Sequence, residues 1–211
     1  MKPEHESSWR TALHLEYFTI AYTVAEAVLS ILFGSIAGSI ALVGFGLDSI
    51  AESLSGLVLI WRLRRHGTCS REEEERSERV AQRFVAVTFF VLGAYVLRES
   101  AGKLLTGEIA RPSPAGILIA LASLIVMPVL AGKKQAVGTA IGSRALIADS
   151  QETLTCAFLS VALLIGLGAN YVAGFWQADP LVGLLIVLFL FREGYEWWGE
   201  AGGEYCNCRG D

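Results

Sequence analysis

Six long apolar blocks dominate this 211-residue chain and leave it little choice of fold. They run from Leu13 to Phe33, Ser39 to Leu63, Val80 to Ala101, Ala115 to Gly132, Ser143 to Gly168 and Phe175 to Trp197. A helix of about 20 apolar residues crosses a bilayer, and in lipid each backbone polar group must find its partner within a helix or a closed barrel. The blocks therefore predict an all-α integral membrane protein, with six transmembrane helices forming a single domain over residues 1–211 and no separate cytoplasmic domain. Composition agrees: 18% of residues are charged, against about a quarter in soluble domains. A net charge of −4 and a pI near 5.5 make a nucleic-acid partner a poor reading. The polar stretch Met1 to Ala12 carries Lys2, Glu4, His5, Glu6 and Arg10, so it holds no signal-peptide core and the first block is expected to stay as a span.

Basic residues set the expected orientation. Fourteen of the 17 Lys and Arg fall on one side of the six-span arrangement, and only Arg98, Lys103 and Arg111 on the other. By the positive-inside rule both termini are cytoplasmic. The longer charged connections, Arg64 to Arg79 and Lys133 to Gly142, then face the cytoplasm. Glu72 to Glu75 in the first of these reads as a solvated, charge-balancing run.

Five carboxylates stand out inside the spans: Glu26 in the first, Asp48 and Glu52 in the second, and Asp149 and Glu152 in the fifth. Each costs several kcal/mol there unless it faces a wet, protein-lined or metal-filled interior. Asp48 and Glu52 are spaced i, i+4, and Asp149, Glu152 and Cys156 also share one helix face. Counted from opposite ends of their spans at about 1.5 Å per residue, Asp48 with Glu52 and Glu152 with Cys156 lie near the mid-plane, as does Glu26. Acids at matched depth in antiparallel helices predict one cation site between two halves. Gly38-Ser39-Ile40-Ala41-Leu42 with Asp48-Ser49 and Glu52-Ser53-Leu54 is echoed by Gly142-Ser143-Arg144-Ala145-Leu146 with Asp149-Ser150 and Glu152-Thr153-Leu154. That echo fits an inverted three-plus-three repeat. Phe45, between Gly44 and Gly46 just above the acids, is a candidate gate; small-residue packing accounts for the glycines equally well. Cys206-Asn207-Cys208 reads as an exposed tail or as an auxiliary soft-metal docking site.

At these residues the sequence resembles the cation diffusion facilitator family, and within it the short branch without a cytoplasmic C-terminal domain. The resemblance rests on Gly38 to Leu42, on Asp48-Ser49-Ile50-Ala51-Glu52-Ser53, on Ala148-Asp149-Ser150 through Cys156, and on Ala178-Asp179-Pro180. It implies a divalent-cation/proton antiporter, not an enzyme, in the plasma or inner membrane, working as a homodimer with the bilayer, protons and the metal as its partners. The metal is cargo, and no permanently bound cofactor is expected. Where the family has Asp-x-x-x-Asp this chain has Asp48 and Glu52, and where it has His or Asp followed by Asp this chain has Glu152 and Cys156.

A site of carboxylates with one thiolate, Asp48, Glu52, Glu152 and Cys156, with Asp149 as a further donor, suits zinc most, then cobalt, cadmium or ferrous iron, over magnesium or calcium. Cys156 is equally readable as a small buried core residue. Such a site cannot hold all its negative charge in low dielectric, so metal binding is expected to expel protons and couple inward proton flow to metal export. Glu26 is the expected proton-coupling or gating group. The alternative function is a non-transporting helical membrane module that assembles partner proteins.

Overall fold

The computed structural model describes residues 3–65, 71–111 and 113–202. Six helices account for nearly all of them: α1 (Pro3–Ala37), α2 (Ile40–Arg65), α3 (Arg71–Thr106), α4 (Pro114–Ile141), α5 (Arg144–Ala173) and α6 (Ala178–Gly202). Five are long and apolar enough to cross a membrane. In α6 the run Pro180–Phe191 is uninterrupted, but Asp179, Arg192, Glu193 and Glu196 flank it. Large apolar side chains such as Phe84, Val91, Leu118, Ile125, Phe158, Ile165 and Leu188 point outward, as expected when hydrocarbon is the solvent.

Local chemistry fixes the helix ends. Ser113 caps α4, its hydroxyl accepting from the Gly116 N–H at 3.1 Å, with Pro114 opening the helix. Ser143 caps α5 in the same way through Leu146 N–H. Gly142 and Gly174 close α4 and α5 at φ 69° and 62°, a left-handed conformation that glycine adopts without steric cost.

The α4 to α5 connection is shorter than the expected charged loop Lys133 to Gly142. The helix carries straight through Lys133 and Lys134, and only Gly142 and Ser143 separate α4 from α5. Lys134 can remain in the bundle because its charge is matched there, as described below.

The helices pair most extensively as α1 with α2, α4 with α5, and α3 with α6; α1 also meets α4, and α2 meets α5. Exchanging the first three helices for the last three leaves these pairings unchanged, as the expected inverted repeat requires. The departure is α2 against α6, whose counterpart α5 against α3 is not an extensive contact. The main apolar core runs through Leu42, Phe45, Phe89, Met127, Leu159, Leu163, Ile186 and Leu190.

Close approach explains the glycines. A Cβ on Gly46 would lie 2.8 Å from Ile31 Cγ1 and 3.0 Å from the Ala27 carbonyl oxygen, so α1 and α2 touch there through backbone. One on Gly93 would lie 2.7 Å from Phe191, where α3 meets α6. Phe45 is fully buried among core side chains.

One end of the bundle is tied across four helix termini. Asp179 at the start of α6 accepts from the Ser39 hydroxyl and, at 2.8 Å, from the Ile40 N–H at the start of α2. Asn170 of α5 donates to the Ala110 carbonyl at 2.9 Å, and Arg111 N–H donates to Ala37 at the end of α1 at 2.7 Å.

Candidate metal centre in the helix bundle

The α1–α2 interface is a ladder of small polar groups. Thr23 and Ser53 hydroxyls meet at 2.7 Å, and Ser49 donates to Glu26 Oε2 at 2.9 Å. Buried hydroxyls on facing helices can satisfy one another where lipid offers no partner. Above this ladder α5 crosses α2 in the opposite direction. Ser55 pairs with Glu152 Oε2 at 3.0 Å, while Glu52, one turn earlier, faces Thr153 and Cys156. Cys156 Sγ in turn lies 3.9 Å from Glu26 Oε2, and the Ser123 hydroxyl of α4 faces both.

The structure thus brings Glu26 and Cys156 together between α1 and α5, with Glu52 of α2 beside them and Glu152 one turn along α5. Asp48, one turn away on α2, is buried within electrostatic reach of Glu52 and Glu26. Serine holds one oxygen of Glu26 and one of Glu152. The other oxygen of each, together with both oxygens of Glu52, is buried without a hydrogen-bond partner. An unsatisfied buried polar group costs about 1–3 kcal/mol, more when charged, so these four carboxylate oxygens form a costly surplus of acceptors. As arranged here, no three His, Cys, Asp or Glu groups among the described residues are close enough to hold a metal ion.

Asp149 turns elsewhere. Its Oδ2 is 2.5 Å from Lys134 Nζ of α4, which also lies 3.3 Å from Glu16 of α1 and 3.2 Å from the Thr153 hydroxyl. Lys134 and Glu16 are fully buried. This three-helix ion network lies one turn from the acidic cluster and fixes α5 against α1 and α4.

Three further charged residues lie in or beside this site: Glu16, Lys134, and Glu193 of α6, which is buried near Glu152 and Asp48. Glu16 and Glu193 lie within the first and last apolar blocks, and that position is a usable signal. Lys134 falls in the expected charged connection, and no periodicity distinguishes it from exposed Lys133 beside it. Cys206 and Cys208 lie outside the described residues.

Antiparallel helices, a lipid-facing apolar surface and clustered buried acids define a multi-pass membrane protein built to receive a cation. The cation efflux transmembrane domain model matches residues 17–201, which include α6, and the chain belongs to that family, the cation diffusion facilitators. Members are transporters rather than enzymes. Similar proteins include magnetosome protein MamB of Magnetospira sp. (strain QH-2), 27% identical over 85% of this chain and 61% of its own length. Transmembrane protein 163 of Xenopus laevis is 24% identical over 92% of this chain and 69% of its own. An uncharacterised transporter of Methanocaldococcus jannaschii is 22% identical over 84% and 64%. The chain therefore spans about 61% to 69% of the length of these relatives.

Proposed function

We propose that this cation transporter is a divalent transition-metal/proton antiporter, zinc being its principal cargo, that exports metal across the plasma or inner membrane as a homodimer with both termini cytoplasmic. Glu26, Glu52, Glu152 and Cys156 supply the donors, and Asp48 adds negative charge one turn away. The observation that supports this reading is the set of buried carboxylate oxygens without partners on Glu26, Glu52 and Glu152. Carboxylates with one thiolate fit zinc, cobalt, cadmium or ferrous iron better than magnesium or calcium. Asp149, neutralised by Lys134, supports α5 instead of ligating. Crowded acids in low dielectric exchange protons for the metal, so each binding event is linked to proton release. The test is zinc uptake by purified protein in proteoliposomes under an imposed pH gradient. Uptake that is saturable and reverses with the gradient is expected; uptake indifferent to the gradient overturns antiport.

The roles of Cys156 and Glu26 separate by measurement. Cys156→Ser should weaken cadmium binding more than cobalt binding, because oxygen is the harder donor; parallel loss across the series would make Cys156 a packing residue. Glu26→Gln should lower zinc affinity in a detergent titration by about tenfold or more, the scale of losing a group near a metal. Unchanged affinity with reduced pH-driven uptake would leave Glu26 a proton-handling role alone.

A further inference from the structure

A cavity of ≈ 330 Å³ opens between α5 and α6 at the end of the bundle opposite the tied termini. Gln151, Glu152 and Thr155 line it from α5, and Arg192, Glu193 and Glu196 from α6. At its rim Arg192 and Glu196 neutralise each other, Nε to Oε1 at 2.8 Å, and both are exposed. Glu193 is different. Only 7% of it is exposed, it makes no hydrogen bond or ion pair to any described residue, and beyond the opposed charges of Glu196 and Arg192 it lies within electrostatic reach of Asp48, Glu52 and Glu152. Deeper in the same cavity, Glu152 keeps Oε1 buried and unpartnered while Ser55 holds its other oxygen. Two buried carboxylates with no ion-pair partner among the described residues, on facing walls of one cavity, are costly to maintain unless a cation visits them.

We propose that Glu193 is a docking carboxylate for the divalent cation on the cytoplasmic side, receiving it from the α5–α6 cavity and passing it to Glu152 and Glu52. This rests on the transport reading above and adds to it a second, weaker cation site on a helix outside the acidic cluster. With Arg192 paired to Glu196 at the rim, Glu193 is the first carboxylate lining the cavity that has no ion-pair partner among the described residues.

The test is calorimetric titration of purified protein in detergent with zinc alone, in a Cys206→Ser, Cys208→Ser background that removes the tail thiols. That background should show a tight and a weak class of binding. Added Glu193→Gln should remove the weak class and keep the tight one, whereas Glu52→Gln should do the reverse; retention of both classes by Glu193→Gln overturns the proposal. In proteoliposomes Glu193→Gln should raise the zinc KM by about tenfold with kcat within about twofold of wild type, the pattern of a lost binding contact. Glu193→Asp, which keeps the charge, should restore KM. A fall in kcat with KM unchanged, or failure of Glu193→Asp to restore KM, would make Glu193 a packing residue. Loss of pH-coupled uptake by the wild type itself would strike at the antiport reading, while the titration still decides the docking site.

Discussion

Glu52→Gln protein reconstituted in liposomes is expected to carry at least about a hundredfold less zinc than wild type, more than the ten- to hundredfold lost when a group merely supporting a ligand is removed. Glu52 is buried on α2, it faces Cys156 and Thr153 of α5, and both its carboxylate oxygens lack a partner. The amide keeps the shape of the carboxylate and removes its charge, so packing should survive. Melting within a few degrees of wild type would show that it does. Asp48→Asn is expected to abolish transport in the same way, because Asp48 adds to the negative field at Glu52 from one turn away. Near-normal flux through either variant would remove the α2 pair from the transport site.

Lys134→Met should produce the largest loss of stability of any single change in the bundle, about 3–5 kcal/mol, the cost of breaking a buried ion pair and stranding its partners. Two carboxylates, Glu16 and Asp149, would be left in low dielectric with no cation, and α5 would lose its tie to α1 and α4. Thermal unfolding in detergent measures this. Combining Lys134→Met with Glu16→Gln and Asp149→Asn should recover most of the loss, since buried pairs replaced in full are often neutral. If Lys134→Met melts no lower than a Met substitution at exposed Lys133, the network contributes nothing to stability. This network also explains why Asp149, on the same face of α5 as Glu152 and Cys156, is not drawn to the acidic cluster.

The architecture was legible because a bilayer leaves so few solutions. Apolar blocks of spanning length dictate helices, though not their ends, since α4 runs on through Lys133 and Lys134 to Ile141, and the i, i+4 spacing of Asp48 with Glu52 dictates a shared face. Periodicity also put Glu152 and Cys156 on one face of α5, and depth counting matched them to α2. In the bundle Ser55 of α2 meets Glu152 of α5 at 3.0 Å.

Whether a buried charge meets a counter-charge depends on helix rotation and on neighbours far apart in sequence. Lys134 is 118 residues from Glu16, and nothing in either local pattern links them. The fold alone decided that Lys134 is a bundle residue and not a loop cation, that Asp149 is compensated, and that Glu26, Glu52, Glu152 and Glu193 form no ion pair with any described residue. Hydropathy and spacing are properties of single helices, and they determined what crosses the membrane and which residues share a face. Electrostatic pairing is a property of the packed bundle, and it determined which of those acids remain free to bind.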